Sequence, residues 1–164
     1  MPLGERSIRA ESSSRLVVVE LFTWQGCSSC PAADAFLGEL TEMCDDVLGL
    51  EFHVDYWDNF GWKDCFSSAE STMRRRTCAK ILGLTYVYTP QMVIDGSANE
   101  VGSDKMVAIA AIETAHKSYT RHLNITLATN SADGIDIAIP AADSGVGQAA
   151  VTVWLVNFDR QFYY

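Results

Sequence analysis

A short apolar stretch that leads directly into two closely spaced cysteines limits the possible folds of this chain more than any other feature. Residues 16–19 read Leu-Val-Val-Val, which is typical of a strand buried on both faces of a sheet. The chain then turns at residues 25–26, presents Cys27 and Cys30 as a C-x-x-C motif, and continues with apolar residues at helical spacing over 33–40. The pattern predicts a buried strand, a turn that carries two thiols, and a helix.

This arrangement makes a pair of thiols reactive. The sulfur of Cys27 is expected near the start of the helix, where unpaired N–H groups and the helix dipole favour a thiolate. Cys30 follows three residues later, within reach for a disulfide. We predict that Cys27 is the attacking thiol and Cys30 the resolving thiol of a redox-active pair. The alternative is two buried thiols that only contribute to packing.

A structural zinc site is the first competing interpretation of the C-x-x-C motif. Structural zinc is bound by four ligands, usually from two paired motifs. The other cysteines, Cys44, Cys65 and Cys78, are spread singly along the chain. The sequence therefore favours redox chemistry without a cofactor, and no metal is expected. The alternative function is a non-catalytic binding module that holds a soft metal such as Cu(I) between the two thiolates.

Length and charge narrow the possible partners. The chain has 164 residues, 48% of them hydrophobic, which suffices for one packed domain with an appended subdomain. A net charge of −9 argues against nucleic acid and anionic membrane surfaces, and no stretch approaches the ~18 apolar residues of a membrane span. Protein thiols or disulfides are the expected partners. Residues 1–14 are polar, lack the apolar core of a secretory signal and are expected to be a disordered tail. The sequence as written indicates a cytoplasmic location, and the compartment is left open.

The segment after the first helix predicts a second strand and then a helix. Apolar residues over 47–54 indicate a buried strand, joined to the first by a right-handed crossover and parallel to it. The aromatic residues over 56–66 indicate an ordered surface loop beside the dithiol, because their rings would otherwise expose much apolar area. A helix capped by Ser67 or Ser68 should follow and end at Gly83. Its three arginines, Arg74, Arg75 and Arg76, are interpreted as a solvated face, with a docking patch as the alternative.

The second half of the chain predicts a hairpin, a helix and a meander. A strand over 92–94 enters a turn at Asp95-Gly96, and residues 99–102 supply a returning strand. Apolar spacing over 103–122 predicts an amphipathic helix with Ser103 as its N-cap. From residue 123 onwards the apolar residues alternate with period two, which predicts antiparallel strands. We expect an α/β domain over 15–122 and a C-terminal β subdomain over 123–164. The aromatic end of the chain suggests a missing continuation or a final strand covered by a partner, with a native terminus packed against its own sheet as the alternative.

The C-x-x-C motif, together with Thr89-Pro90 leading into a strand 60 residues later, resembles the thioredoxin superfamily. A closer similarity is to a family of bacterial thioredoxin-like proteins known as domain of unknown function 1223. The segments that carry this similarity are 19–23, 25–31, 33–34, 52–57, 61–64 and 88–92. The resemblance implies an α/β thioredoxin-like fold with a helical insertion after the second strand and a C-terminal antiparallel β extension. It also implies a thiol–disulfide oxidoreductase, and export from the cell.

The resemblance assigns the substrate-binding residues. Pro90 should be cis and lie against the dithiol, an assignment that the sequence alone would not make because only ~5% of X-Pro bonds are cis. The backbone of Thr89 should then lie beside Cys27. Trp24 replaces the small residue that is usual in the family and places a large ring next to the dithiol.

Several other residues carry hypotheses of their own. Glu20 ends the buried run seven residues before Cys27 and could take the proton of Cys30 as a general base, or reach solvent at the strand end. His53 and Asp55 share one strand face, and a hydrogen-bonded pair that fixes the following loop is favoured over a metal site. Asp34, one turn into the first helix, is interpreted as structural because it suits the helix dipole.

Cys65 and Cys78 both depart from the family pattern, and Cys65 stands where a proline is usual. One hypothesis is a disulfide that pins the aromatic loop beside the dithiol. Because a straight helix carries Cys78 ~15 Å from the helix start, such a bond requires the chain between them to fold back. The alternative is two separate reduced thiols, with Cys44 as a further free thiol in both cases.

Overall fold

The computed structural model describes residues 16–118, 125–129, 134–139 and 156, which fall into two compact units. The first unit contains residues 16–118, and the second contains the remaining described segments. The predicted tail at 1–14, the predicted boundary between residues 122 and 123, and the aromatic end of the chain lie outside the described residues. No helix in the described part is long and apolar enough to cross a membrane.

The first unit is built on a sheet of four strands in the order β2-β1-β3-β4. The strands are β1 (Val17–Thr23), β2 (Val47–His53), β3 (Gln91–Ile94) and β4 (Ala98–Val101). β1 and β2 are parallel, with Val17 opposite Val47 and Thr23 opposite His53, as the crossover argument predicts. β3 is antiparallel to both β1 and β4.

Three helices pack on this sheet: α1 (Cys30–Met43), α2 (Ala69–Ile81) and α3 (Lys105–Lys117). Ser68 caps α2 by accepting a hydrogen bond from the Ser71 N–H, as predicted. The predicted cap of α3 is wrong by one residue: Asp104, and not Ser103, accepts from the Val107 N–H, because the first helical residue is Lys105. The helix also ends at Lys117 instead of 122, because the backbone turns to an extended conformation at its C-cap.

A βαβ unit followed by a ββα unit around one sheet is the thioredoxin-like fold that the resemblance predicts, and α2 is the helical insertion after the second strand. The hairpin between β3 and β4 is also confirmed. Asp95 and Gly96 both have positive φ angles, of 50° and 64°, which a tight two-residue turn requires and which Asp-Gly supplies at low cost.

β1 is buried on both faces, as its composition predicts. One face packs against α1 and α3 in an apolar core. The largest contributors to this core are Val19, Leu21, Phe36, Met92, Ile94 and Ile112. The opposite face carries Phe22, which forms a second cluster with Trp24, Val54 and Cys78. Full burial of a large apolar side chain such as that of Phe22 stabilises the fold by about 1.5–3 kcal/mol.

The second unit contains two antiparallel strands, β5 (Thr126–Thr129) and β6 (Ile135–Ala138). Leu127 lies opposite Ile137, so the apolar positions of the period-two pattern pair across the strands. This pair confirms the C-terminal antiparallel extension. The predicted strand over 151–155 lies outside the described residues.

Candidate functional site

The two cysteines of the C-x-x-C motif form a disulfide, with their Cα atoms 5.4 Å apart. Cys30 is the first residue of α1 and is completely buried, at 0% exposure. Cys27 is half-buried in the turn before the helix, and its N–H donates to the carbonyl of Trp24 at 3.1 Å. A second molecule can therefore reach the sulfur of Cys27, whereas the sulfur of Cys30 is shielded by the protein.

The turn before the dithiol is shaped by Trp24. Its indole is only 8% exposed, packs in the same cluster as Cys27, and donates its Nε1–H to Asp58 at 2.9 Å. The ring also covers Gly26, where an added Cβ would overlap the indole carbons. Glycine at position 26 is therefore required by the large side chain two residues earlier.

The Thr89–Pro90 peptide bond is cis. Pro90 directly precedes β3 and lies one residue beyond the pair formed by Phe22 and Gln91, so it is level with the last residue of β1. Its carbonyl accepts a hydrogen bond from Gly102 at 3.1 Å, and a Cβ on Gly102 would lie 3.0 Å from that of Ala33 in α1. These contacts place the proline at the sheet edge where β1 ends and α1 begins.

Glu20 is buried in β1 and bound by an arginine of α2. Its Oε1 accepts from Arg74 Nε at 2.7 Å and its Oε2 accepts from Arg74 Nη2 at 2.8 Å. Such a bidentate, charge-assisted pair fixes the position of the carboxylate. The alternative in which Glu20 reaches solvent is wrong, because α2 covers this face of β1.

The prediction of a solvated arginine face is wrong for Arg75, which is 0% exposed. Its guanidinium carbon lies 5.7 Å from the ring centre of Phe22 and 5.8 Å from that of Tyr88. None of its three side-chain nitrogens has a hydrogen-bond partner among the described residues, and burial lowers its pKa. Arg75 lies three residues from both Thr72 and Cys78, two buried residues of α2, and this spacing was the available signal.

Asp64 ties the aromatic loop to the dithiol turn. It is almost fully buried, its Oδ2 accepts from the Gln25 N–H at 2.8 Å, and the same oxygen lies 2.6 Å from Nδ1 of His53. The Nε2 of His53 lies 3.0 Å from Glu51. Burial of His53 opposes its protonation, but the hydrogen bonds of the two carboxylates outweigh burial and raise its pKa.

The predicted pairing of His53 with Asp55 is wrong. β2 ends at His53, so the alternation of side chains does not continue to Asp55. Asp55 instead accepts a hydrogen bond from the hydroxyl of Thr72 in α2. The loop is fixed as expected, but through Asp64.

The aromatic loop is ordered as predicted, through a short 3-10 helix at Asp58–Phe60 and its bonds to the dithiol turn, but several of its rings face outward. Phe60 is 72% exposed and Trp62 is 57% exposed, and Phe66 is also exposed. The Nε1–H of Trp62 donates to the side-chain oxygen of Gln25 at 3.4 Å. An apolar surface therefore adjoins the turn that presents Cys27.

Cys65 and Cys78 are both free, so the hypothesis of a disulfide between them is wrong and the alternative of separate thiols is confirmed. Cys65 is exposed in the loop, with its sulfur 3.9 Å from the side-chain oxygen of Gln25. Cys78 is buried beside Phe22, where burial raises its pKa. The two side chains lie in different surroundings because α2 carries Cys78 into the core.

The family model described as "Protein of unknown function (DUF1223)" matches residues 18–162. This chain belongs to the DUF1223 family. Its structure is similar to the crystal structure of an Agrobacterium tumefaciens protein, with 36% identity and a TM-score of 0.62 over 79% of this chain. The match covers 58% of that protein, so the present chain spans a little more than half of its length.

Two further solved structures are similar at lower identity. HBP35 of Porphyromonas gingivalis matches with 15% identity and a TM-score of 0.44, over 71% of this chain and 38% of that one. Pseudomonas aeruginosa DsbA matches with 12% identity and a TM-score of 0.41, over 66% of this chain and 88% of that one. A comparison with curated proteins found no match.

The partial burial and the raised pKa of Asp34 in this DUF1223 protein were not predicted from the sequence. Asp34 is half-buried in α1, and its Oδ1 accepts a hydrogen bond from the hydroxyl of Thr23 at 2.7 Å. Burial raises its pKa from 3.8 to about 6, although the bond from Thr23 acts in the opposite direction. The available signal was its position four residues after Cys30, on the same side of the helix.

The described residues contain no group of three or more His, Cys, Asp or Glu side chains arranged to hold a metal ion. When reduced, Cys27 and Cys30 would offer two thiolate ligands, a kind of ligand that suits Cu(I).

Proposed function

We propose that this protein is a thiol–disulfide oxidoreductase that acts on protein disulfides through Cys27 and Cys30. The observation that carries the proposal is the disulfide at the start of α1, with one sulfur accessible and the other buried. The thioredoxin-like fold supports it, because the motif follows a buried strand and begins a helix, the context in which a C-x-x-C pair is typical of redox chemistry.

The reaction transfers two electrons between the dithiol and the substrate. In the reducing direction, the thiolate of Cys27 attacks one sulfur of the substrate disulfide, and the other substrate sulfur leaves as a thiolate. Cys30, once deprotonated, attacks the sulfur of Cys27 and releases the second substrate thiolate. The protein ends with the Cys27–Cys30 disulfide, and the reverse sequence oxidises a substrate dithiol.

The surroundings of Cys27 favour its thiolate form. The turn places it just before α1, near the positive end of the helix dipole. Its sulfur lies 3.5 Å from the hydroxyl oxygen of Ser29, which can donate a hydrogen bond to a thiolate. We therefore assign the attack to Cys27.

Thr89 and Pro90 form the edge along which a substrate peptide would lie. The backbone of Thr89 makes no hydrogen bond to the backbone of another described residue, so it is available to an extended peptide beside Cys27. The exposed ring of Trp62, hydrogen-bonded to Gln25 in the turn before the dithiol, offers a further apolar contact to a substrate. Trp24 is too buried to contribute much substrate contact, and we assign it the role of shaping the turn.

Glu20 remains the predicted base, but its contacts favour a different role. Because Arg74 occupies both of its carboxylate oxygens, proton transfer to Glu20 would require this ion pair to open. We propose that Glu20 balances the charge of the arginines under the dithiol.

A disulfide reduction assay tests the function. The reduced protein should reduce insulin disulfides, Cys27→Ser should abolish turnover, and Cys30→Ser should accumulate a mixed disulfide on Cys27 that mass spectrometry detects. Cys65→Ser is the matched control, since it removes an exposed thiol outside the motif and should leave turnover unchanged. Equal, slow alkylation of Cys27 and Cys30 without turnover would contradict the proposal, and retention of Cu(I) by that inactive protein would support the binding module instead.

A further inference from the structure

We propose that Asp34 is the proton acceptor for the Cys30 thiol in the step that resolves the mixed disulfide. This inference rests on the proposed function and names the residue that controls its second half. The buried thiol of Cys30 must lose its proton before it can attack, and the protein has to supply the acceptor. Cys30 has no exposed surface, so water cannot reach its thiol directly in this conformation.

The helix brings the carboxyl group of Asp34 towards Cys30. Residues four apart in a helix lie on the same face, with Cβ atoms about 6 Å apart. Helical side chains also lean towards the N-terminus, so this geometry directs the carboxyl group of Asp34 towards the turn that begins with Cys30. Thr23, the last residue of β1, holds this group by its 2.7 Å hydrogen bond to Oδ1.

The second oxygen of Asp34 completes the route for the proton. Oδ2 makes no hydrogen bond to another described residue, and Asp34 itself is only half-buried. Oδ1 is thus fixed by Thr23, while Oδ2 can accept a proton from a thiol, from a bridging water or from solvent. Glu20 lacks this freedom because both of its oxygens are bound by Arg74.

The electrostatics of Asp34 suit this task. Burial raises its pKa to about 6, the bond from Thr23 lowers it, and the negative charges of Glu51 and Asp64 add to the increase while His53 opposes it. A carboxyl group with this pKa is mostly ionised at neutral pH and still has an appreciable affinity for a proton. General bases work best when their pKa lies near the operating pH.

The step balances as follows. In the mixed disulfide, Cys27 is bonded to a substrate sulfur and Cys30 is a thiol. The proton of Cys30 passes to Asp34, and the thiolate of Cys30 attacks the sulfur of Cys27. The new bond between Cys27 and Cys30 forms while the bond from Cys27 to the substrate breaks, and the substrate leaves as a thiolate. Asp34 then returns its proton to the leaving thiolate or to solvent.

The test separates attack from resolution with an aromatic disulfide, 5,5′-dithiobis(2-nitrobenzoate), in stopped flow. Attack by Cys27 releases one coloured thiolate, and resolution by Cys30 releases a second one. The assay uses reduced protein in which Cys44 and Cys65 are replaced by serine, so that these thiols do not contribute colour. Both rates are measured between pH 5 and pH 9.

Asp34→Asn should slow the second release by ~100-fold and leave the first release unchanged. The pH dependence of the second release, with a midpoint near the pKa of Asp34, should disappear. Thr23→Val should move this midpoint upwards, since it removes the hydrogen bond that lowers the pKa of the carboxyl group. Glu39→Gln, which removes an exposed carboxylate from the same helix, is the matched control and should change neither rate.

Resolution at the original rate and with the original pH midpoint in Asp34→Asn would overturn the inference. Loss of the midpoint in Glu20→Gln instead would transfer the role to Glu20. If Asp34→Asn does not fold, the midpoint of Thr23→Val decides, since an unmoved midpoint contradicts the assignment. If the parent protein gives no first release at all, the oxidoreductase proposal itself fails, a result distinct from the failure of Asp34.

Discussion

The two faces of β1 are both buried, but against different kinds of side chain. We call them the apolar face and the charged face. On the apolar face, Val19 and Leu21 pack among aliphatic and aromatic side chains from α1 and α3. On the charged face, Glu20 and Phe22 lie under α2, whose arginines bind the carboxylate and stack over the ring. The apolar face stabilises the fold simply by the area that it removes from water, whereas the charged face also contains an ion pair and a buried arginine that has no carboxylate partner among the described residues.

The charged face does not balance its charges. Arg74 is neutralised by Glu20, but Arg75 has no carboxylate partner among the described residues. Cys27 packs against the same cluster of side chains as Phe22, over which Arg75 is stacked. An uncompensated cation near this cluster would favour a thiolate at Cys27, so we expect this face to lower stability while it raises the reactivity of Cys27.

The largest effect should follow from removing the carboxylate of the charged face. Glu20→Gln removes the carboxylate that binds Arg74 next to Arg75, which has no carboxylate partner among the described residues, and we expect a loss of about 3–5 kcal/mol in the free energy of unfolding. Urea denaturation measures this loss. The matched control is Glu39→Gln, which opens an exposed pair with Lys105 and should cost about 0–1 kcal/mol. Equal losses in the two variants would mean that burial of the Glu20 pair has no energetic consequence.

Removing the charge of Arg75 should stabilise the fold, in contrast to removing the charge of Glu20. Arg75→Met keeps much of the volume and removes an unpaired buried charge, so the free energy of unfolding should rise by about 1–4 kcal/mol. Alkylation of Cys27 should become slower at neutral pH, since the thiolate loses a nearby cation. Arg76→Met, at an exposed position of the same helix, is the control for both measurements. A less stable protein with unchanged alkylation would contradict the contrast between the two faces.

The apolar face could be predicted from the sequence, and the charged face could not. A run of β-branched residues and the helical spacing of Ala33, Phe36 and Leu40 indicate burial because such side chains have no competing reason to be exposed. Three successive arginines indicate solvent by the same reasoning. The pairing of Arg74 depends on Glu20, 54 residues before it, and the burial of Arg75 depends on Tyr88, 13 residues after it, so only the fold brings these groups together.

The candidate site divides in the same way. The two cysteines are recognisable because their spacing and their place between strand and helix are local features. The hydrogen bond between Asp64 and the turn at Gln25 joins residues 39 apart, so the sequence predicted an ordered loop without its anchor. Asp34 was placed in the first helix, as the bounds of α1 require, and interpreted as structural, but its pKa depends on burial, which helical spacing does not reveal.

Asp34 is an ionisable residue at the apolar face of β1, where its carboxyl group is hydrogen-bonded to Thr23. The pH dependence of stability tests the effect of its partial burial. Its pKa of about 6 exceeds the 3.8 of an unburied carboxyl group, so the folded state binds this proton more tightly. Stability is therefore lost as the pH rises from about 4 to about 6. Asp34→Asn should be more stable than the original protein at pH 7, by about 1–2 kcal/mol after allowance for solvent screening. The advantage should vanish below pH 4, and an advantage that persists there would contradict the assigned cause.

The smallest effect concerns how often α2 separates from the charged face of β1 and exposes Cys78. Cys65 is exposed in the loop and Cys78 is buried against Phe22, where burial raises its pKa. In native protein with the dithiol oxidised, iodoacetamide should label Cys65 within minutes, while labelling of Cys78 should wait for opening of α2. Mass spectrometry of the labelled peptides gives both rates, and Cys65→Ser shows which signal belongs to which thiol. Because Arg75→Met removes a buried charge that has no partner among the described residues, it should slow the labelling of Cys78 further and leave that of Cys65 unchanged. Rapid labelling of Cys78 in the native protein would mean that the charged face is open in solution, and the field under Cys27 would then be screened by water.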